Sequence, residues 1–183
     1  MGKIFETISA EYQAFIERQP MFFVASAPLS GAGHVNLSPK GLDTLRIIDP
    51  GTVAYLDLTG SGNETAAHLT ENGRLTLMFC AFEGNPKILR LYCRGRVVTR
   101  GMHEWAEWVG RFPGHVGTRQ AVIANVQSGQ TSCGFGVPLL SLVAQRDQLP
   151  RWAESKGEDG LVAYRRNKNT ISLDGLLTPS TDL

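Results

Sequence analysis

Short apolar runs separated by turn residues dominate the chain after residue 20, and they constrain its fold more than any other feature. Each run is rich in β-branched or aromatic residues, and they follow at roughly ten-residue spacing. Between two of them, "EGNP" has the composition of a hairpin turn, and "IIDPG" before Thr52 has that of another connection. The pattern predicts a small antiparallel barrel or sandwich. The runs are MFFVASAPL, HVNLSPKG, GTVAYLDLT, RLTLMFCAF and KILRLYCRGRVVT.

Helical periodicity appears at both ends of the chain and in one insertion between the strands. Apolar residues recur at steps of three and four from Ile4 onward and Pro20 follows, which predicts a helix over about 4–18. A second helix is predicted over about 62–71, where Asn72-Gly73 is a stop signal. HEWAEWVGRF indicates a third, and short helices flanking a glycine are predicted near the C-terminus. The predicted class is α+β, mainly β.

A single domain is expected to contain all of residues 1–183. It divides into the N-terminal helix over about 4–18, a barrel over about 21–145 and a C-terminal helical segment over about 147–169. The tail after Gly175 has too few apolar side chains to predict order. No linker composition interrupts the chain.

The charge pattern argues against several classes of partner. The chain has 18 basic and 17 acidic residues, well mixed, for a net charge of +1. Such a chain has no field that would attract nucleic acid or an anionic membrane. Its longest apolar runs are only strand length, and the N-terminus lacks the apolar core of a signal peptide. We therefore expect a cytoplasmic protein without nucleic-acid or membrane partners.

The cysteine and histidine positions do not indicate a metal site or a disulfide framework. The three cysteines are odd in number and widely spaced, and the four histidines form no HxxxH or HExxH pair. No Ser/His/Asp order and no carboxylate pair suggests an acid–base mechanism. The catalytic residues, if there are any, stay unassigned at this point.

The segment GSGNETAAHL, residues 60–69, could start a helix, hold a phosphate, or do both. Ser61 followed by Glu64 has the spacing of a capping box, in which each side chain bonds to the other residue's backbone amide. The same helix start would point free amides and a positive dipole end outward, which suits an anion. Local chemistry favours capping over phosphate binding.

Two strand ends carry further candidate residues. In HVNLSPKG, Ser38 and Lys40 flank a proline turn, although a solvated lysine is the more ordinary interpretation. In KILRLYCRGRVV, strict alternation places Arg90, Arg94 and their neighbours Tyr92 and Arg96 on one face. That face is either a solvated surface or an anion-binding contact across a subunit boundary.

A glycine-rich segment, QTSCGFGVP, follows AVIANVQ, which is the last predicted strand. Its small residues allow a close backbone approach or a β-bulge. No base can be placed beside Cys133, so we interpret that cysteine as structural.

Together, in this order, the motifs resemble the pyridoxamine 5'-phosphate oxidase-like family of FMN-binding split β-barrels. The resemblance rests on VNLSPKG, AYLDLTGSGNETAAHLTENGRLTLMF, LRLYCRGRVV, QTSCGFGVP and KNTISLDGL, and it spans about Met21 to Leu176. It implies a homodimer with two FMN sites at the subunit interface. The strands around the first two motifs and the start of the inserted helix would hold the flavin and its phosphate.

Carried onto this chain, the resemblance assigns cofactor-binding roles to particular residues. Within one subunit they are Ser38, Lys40, Tyr55, Asp57, Ser61, Gly62, Asn63, Glu64 and Thr65. The partner subunit would contribute Arg94 first and Arg90 second, and Thr131 and Ser132 would close over the ring.

This chain departs from the family pattern at the start of the inserted helix. Family members that oxidise vitamin B6 carry a basic pair where this chain has Glu64-Thr65. The resemblance therefore implies an FMN-dependent oxidoreductase that acts on another small molecule, with a nicotinamide as a candidate electron donor. Related split barrels bind deazaflavin F420 or haem. A binder or sensor without turnover, or a barrel carrying a lipophilic ligand, stays open as an alternative.

Overall fold

The structure is a computed structural model that describes residues 2–179. Within these residues, eight strands form one antiparallel sheet. The elements are β1 (Ile4–Phe5), α1 (Ala10–Glu17), β2 (Phe22–Ser26), β3 (Asn36–Lys40), β4 (Leu45–Asp49), β5 (Thr52–Leu58), α2 (Glu64–Asn72), β6 (Arg74–Cys80), β7 (Ile88–Thr99), α3 (Trp105–Val109), β8 (Thr118–Ser132) and α4 (Gln148–Lys168).

The order of the strands makes the sheet a split barrel. Neighbours follow β3-β2-β6-β7-β8-β5-β4, with β1 added beside β8, and the path ends at β3 and β4. Antiparallel strands that follow one another closely in sequence need only short connections, which agrees with the turn residues that separate the predicted strands. The predicted α+β split barrel is confirmed.

Alternating side chains on β6 and β7 fill the barrel. Leu77, Leu89 and Leu91 are completely buried, together with Tyr55 and Val24. The predicted alternation of β7 is confirmed, since the arginines and Tyr92 lie on its more exposed face. A second apolar cluster packs α3 against β5 and β8, so both sides of these strands are covered there.

The N-terminal helix is shorter than the predicted 4–18. Ile4 and Phe5 form β1 and pair with Gln130 and Gly129 of β8. The helix begins only at Ala10, where the Ser9 hydroxyl accepts a hydrogen bond from the amide of Tyr12 at 3.3 Å. A short apolar pair fits strand and helix patterns equally well, and the edge of β8 selects the strand.

Two strand predictions are also incomplete. β4 was not among the predicted runs, because LRIID does not alternate, and it pairs with β5 through the predicted turn at Asp49-Pro50-Gly51. β8 reaches from Thr118 to Ser132, well beyond AVIANVQ, and takes in part of the glycine-rich segment.

Near the C-terminus, the helix prediction holds and the tail prediction does not. α4 is broken at Gly157, whose φ is 64° and ψ is 172°, which confirms two helical pieces around a glycine. After it, the backbone bridges Ile171 to Leu177, so the expectation of no order after Gly175 is wrong as far as residue 179. Residues 180–183 lie outside the described residues.

No helix within residues 2–179 combines the length and the apolar composition that crossing a bilayer requires.

The end of α2 provides a test of the fold. Gly73 ends the helix with a φ of 69°, and its amide bonds to the carbonyl of Leu69. We expect Gly73→Ala to lower the free energy of unfolding by about 1 kcal/mol, because an L side chain is strained in the left-handed region. Urea denaturation measures the difference. Gly136→Ala is the control, since a Cβ there meets no atom within 4 Å, and equal stability of the two variants would contradict this assignment.

Candidate functional site

A polar cleft of about 530 Å³ lies where the ends of β3 and β5 meet the start of α2. Its size is that of ordinary small-molecule sites. The residues around it are Asn36, Ser38, Pro39, Lys40, Gly41, Leu42, Thr44, Leu56, Asp57, Leu58, Thr59, Gly60, Ser61, Gly62, Asn63, Glu64, Thr65, Arg119 and Leu149.

The carboxylate of Asp57 is the centre of the cleft wall. Lys40 Nζ lies 2.6 Å from its Oδ1, and Arg119 Nε and Gln120 Nε2 lie 2.9 and 2.7 Å from its Oδ2. Asp57, Arg119 and Gln120 are buried. A buried carboxylate is tolerated when its lone pairs meet charged or polar donors, and these donors come from β3 and β8.

The environment of Asp57 sets its protonation. Burial alone would raise the pKa of the carboxyl, but the charges of Arg119 and Lys40 and the hydrogen bonds from Lys40 and Gln120 hold it well below its usual range. Asp57 is therefore an anion at neutral pH. It compensates two cations and is not a proton donor.

The turn of residues 59–63 is tied to the same network. Gln120 Nε2 also donates to Asn63 Oδ1 at 2.7 Å, and Thr59 Oγ1 donates to the carbonyl of Gly117 at 2.8 Å. The side chain of Asn63 is buried although it precedes a helix. These bonds hold the start of α2 beside the end of β5.

The predicted capping box is wrong. α2 begins at Glu64, so Asn63 is its N-cap residue, and no side chain caps the helix. Ser61 lies outside the helix and is exposed. The Glu64 carboxylate instead accepts a hydrogen bond from the amide of Leu173 at 2.9 Å. A long-range partner has replaced the local one, and the first amides of α2 are left without a capping side chain.

Polar side chains of β3 complete the opposite wall. Asn36 Nδ2 donates to Thr65 Oγ1 at 3.0 Å, and Ser38 Oγ donates to Asn36 Oδ1 at 3.3 Å. Alternation along β3 turns Asn36, Ser38 and Lys40 to the side that is partly buried. The Thr65 hydroxyl, having accepted one bond, keeps its hydrogen for another partner.

The structure brings most of the predicted residues together. Those that line the cleft are Ser38, Lys40, Asp57, Ser61, Gly62, Asn63, Glu64 and Thr65.

Tyr55 does not line the cleft. Its ring packs against Phe22 in the barrel core, with centroids 5.6 Å apart, and it is fully buried. Burial raises the pKa of its phenol well above the usual value. Within residues 2–179, the hydroxyl has no hydrogen-bond partner. The expectation that Tyr55 touches a ligand in the cleft is not met by this arrangement.

The partner-side and ring-closing candidates also lie away from the cleft of their own chain. Arg90 donates to Ser132 Oγ at 3.1 Å, and Arg94 donates to the carbonyl of Asn72, at the far end of α2, at 2.8 Å. Thr131 Oγ1 accepts from the amide of Lys3 at 3.1 Å. None of these side chains lines the cleft.

Sequence reasoning missed Arg119, Gln120, Asn36 and Asn169. Asn169 Oδ1 accepts from Arg119 NH1 at 2.9 Å, which places it directly behind the cleft wall. The available signal was weak: Arg119-Gln120 stand immediately before the apolar run AVIAN, where charged side chains are seldom buried without a partner. The identity of that partner depends on the tertiary fold.

The cysteines do not add a reactive group to the site. Cys80 and Cys93 are buried, and burial raises the pKa of the Cys93 thiol to about 12. The interpretation of Cys133 as a buried structural cysteine is wrong, since it is exposed, but it does not line the cleft. The residues that the structure describes contain no cluster of three or more His, Cys, Asp or Glu side chains suited to a metal ion.

Comparison with known sequences assigns a family to most of the chain. The sequence profile of pyridoxamine 5'-phosphate oxidase matches residues 8–133. The "Pyridoxamine 5'-phosphate oxidase family protein ustO" of Aspergillus flavus is 42% identical over 195 aligned positions, which cover 96% of this chain and 77% of that protein.

Solved structures share the fold at low sequence identity. A variant of HupZ from Group A Streptococcus has a TM-score of 0.52 and 22% identity, covering 68% of this chain and 99% of that one. A candidate pyridoxamine 5'-phosphate oxidase from Lactobacillus delbrueckii has a TM-score of 0.52 and 13% identity, covering 67% and 93%. At these identities the likeness supports the split-barrel fold alone.

The buried ion pairs predict an acid-dependent stability. Because the folded pKa of Asp57 lies well below its unfolded value, its stabilisation is complete above about pH 5, begins to fall near the unfolded value of about 4, and continues to fall until the pH reaches the folded pKa. Asp57→Asn should lower the free energy of unfolding by about 3 kcal/mol at pH 7, since Lys40 and Arg119 lose their counter-ion. It should also flatten the decline between about pH 5 and 3 in urea titrations.

Asp159→Asn, on the exposed surface of α4, is the control for this experiment. If the Asp57 variant were as stable as this control at pH 7 and kept the full acid decline, the carboxylate would not be the centre of the wall.

Proposed function

This chain belongs to the pyridoxamine 5'-phosphate oxidase family, and we propose that it is a cytoplasmic, FMN-binding flavoprotein that oxidises or reduces a small molecule. The observation that carries the proposal is the uncapped start of α2, which opens into the polar cleft. Such a helix start is a ready anion site, because its free amides and its dipole both favour negative charge.

The donors around the cleft fit a phosphate group. The amides at the start of α2 are joined there by the hydroxyls of Ser61 and Thr65. Gly60 and Gly62 allow the backbone of the turn to approach a ligand closely.

A cleft built from one chain has no net positive charge to offer a phosphate. Lys40 and Arg119 both bind Asp57, and Glu64 lies at the rim, so these four charges cancel. A phosphate monoester carries about −1.5 to −2 charge at neutral pH. Lys40 is 23% exposed and can face a ligand and Asp57 together. The remaining charge calls for a cation from outside the cleft.

A second copy of the chain is the proposed source of that cation. On β7, Arg90 is half-buried and Arg94 is exposed, and within residues 2–179 their hydrogen bonds go to neutral oxygen atoms, Ser132 Oγ and the carbonyl of Asn72. Planar guanidinium groups suit phosphate and aromatic rings. In a homodimer, these arginines would face the other subunit's cofactor.

The outer face of the sheet is the proposed contact between the two copies. Directly paired residues of neighbouring strands point to the same face. Here that face combines the exposed Leu37 and Tyr92 with the half-buried Phe23 and Met78. Its two cross-strand rows are Pro39, Phe23, Met78 and Arg90, and Leu37, Ala25, Thr76 and Tyr92.

The proposed site assigns different roles to FMN and to the residues of the chain. FMN, when bound, supplies the redox chemistry by accepting or donating a hydride at its ring, with NADH or NADPH as the proposed electron donor. The chain's own residues bind the phosphate, hold the start of α2 in place through Asp57, and shape the cleft. Because Leu77, Leu89 and Leu91 fill the barrel interior, we favour the polar cleft over an interior site for a lipophilic ligand.

The start of α2 also bears on the substrate. Family members that oxidise vitamin B6 have a basic pair where Glu64 and Thr65 stand in this chain. We therefore propose that phosphorylated B6 vitamers are not the substrate of this protein.

Flavin titrations test the phosphate site. We expect the protein to take up FMN, to bind it at least about tenfold more tightly than riboflavin, and to show a flavin absorbance that bleaches on addition of NADH or NADPH. Ser61→Asp should remove the preference for FMN, because it adds a negative charge where the phosphate lies. Fluorescence quenching measures each Kd.

Ser155→Asp, an equal charge change on α4, is the matched control. Protein that takes up no flavin would contradict the proposal, and a deazaflavin or haem absorption spectrum in the purified protein would replace FMN by that cofactor.

A subunit-mixing experiment tests the role of Arg94. Light scattering should give twice the 20.0 kDa chain mass. Arg94→Gln and Ser61→Asp should each bind FMN weakly. After subunit exchange between the two variants, about a quarter of the sites should regain full affinity, because a mixed dimer rebuilds one site from an intact cleft and an intact Arg94.

Arg96→Gln is the control, since Arg96 shares the face of Arg94 but is paired with Glu104. A stable monomer, or a mixture with no recovered sites, would show that Arg94 does not act across the interface.

A further inference from the structure

Residues C-terminal to the part matched by the family profile contribute to the back of the cleft. The match ends at residue 133, whereas Leu149 of α4 lines the cleft. From the same C-terminal part, the amide of Leu173 binds Glu64, and Arg165 NH1 lies 3.3 Å from Thr59 Oγ1. The turn between β5 and α2 is therefore held at both of its ends by this segment.

Asn169 occupies the centre of that contact and is 3% exposed. Its Oδ1 accepts from Arg119 NH1 at 2.9 Å, and its Nδ2 donates to the carbonyl of Gly60 at 2.9 Å. Its own carbonyl accepts from Asn63 Nδ2 at 3.3 Å and from the hydroxyl of Thr178. Asn169 thus connects β8, the turn of residues 59–63 and the C-terminal segment that contains Thr178.

The two ends of the Asn169 amide cannot be exchanged. A guanidinium has only donors and a carbonyl has only acceptors, so the oxygen must face Arg119 and the nitrogen must face Gly60. Both partners matter to the cleft, because Arg119 binds Asp57 and Gly60 precedes the uncapped start of α2.

The turn needs such an anchor. It contains Gly60 and Gly62, and glycine loses more backbone freedom on ordering than any other residue. A phosphate site made of backbone amides binds tightly only if those amides are already in place, since otherwise ligand binding must order them. Asn169 fixes the turn from beyond residues 8–133, the part of the chain that the family profile matches.

We propose that Asn169 is a positioning residue for phosphate recognition. It holds the turn of residues 59–63 so that the first amides of α2 face the ligand's phosphate, and the C-terminal segment thereby completes the site. This inference rests on the proposed binding of FMN in the cleft. It differs from a general role in stability, because only the phosphate end of the ligand should respond to its loss.

The test compares FMN with riboflavin, which lacks the phosphate, in Asn169→Ala and in the near-isosteric Asn169→Asp. Asn169→Asp keeps an oxygen toward Arg119 but places a second oxygen against the carbonyl of Gly60, so it is informative even if the alanine variant folds poorly. The control is Asn167→Ala, an exposed asparagine of the same helix. Fluorescence quenching gives each Kd for full-length protein.

The expected result is a rise of about tenfold in the FMN Kd of both Asn169 variants, with the riboflavin Kd changed by less than about twofold and neither Kd changed in the control. FMN affinity that is unchanged, or FMN and riboflavin affinities that fall equally, would overturn the positioning role while the proposed function stands. A wild-type protein that binds neither flavin would overturn the proposed function, and this inference with it.

Discussion

The buried carboxylate of Asp57 is the interaction on which the rest of the site depends. A carboxylate at 3% exposure is stable only if charged and polar donors surround it. Here the donors are Lys40 from β3 and Arg119 and Gln120 from β8. These bonds join the end of β3 and the start of β8 to the end of β5, beside the cleft. The paired charge therefore helps to hold the wall of the cleft in place.

The same network decides what kind of ligand the cleft can hold. Because Asp57 neutralises both Lys40 and Arg119 in part, the strongest donors left for an anion are the amides at the start of α2. Those amides lie on a glycine-containing turn that Gln120 holds from one side and Asn169 from the other. Ligand binding, fold stability and the C-terminal segment therefore depend on one set of hydrogen bonds, and the second subunit is proposed to supply the missing charge.

Sequence patterns predicted what depends on local periodicity. The alternation of β7, the stop of α2 at Gly73 and the break of α4 at Gly157 all follow from backbone preferences that a few neighbouring residues express. The order of the motifs predicted the family and the split barrel, and the same motifs contain most of the cleft residues.

Contacts that are distant in sequence account for the rest. Ser61 and Glu64 have the spacing of a capping box, yet Glu64 binds an amide 109 positions away. Arg119 and Asp57 are 62 positions apart, so neither predicts the other. Ile4 and Phe5 form a strand only because the edge of β8 receives them. Tyr55 and Asp57 are two residues apart on β5 and point to the same face, but Tyr55 lies deeper in the barrel. The periodicity of the strand does not predict this difference in depth.

The most direct measurement is a crystal structure of the protein reconstituted with FMN. We expect a dimer in which the phosphate lies within hydrogen-bond distance of the amides of residues 63–65 of one protomer and of the guanidinium of Arg94 of its partner, with Asp57 still bound to Arg119. A flavin bound elsewhere, or a phosphate held away from the start of α2, would contradict it.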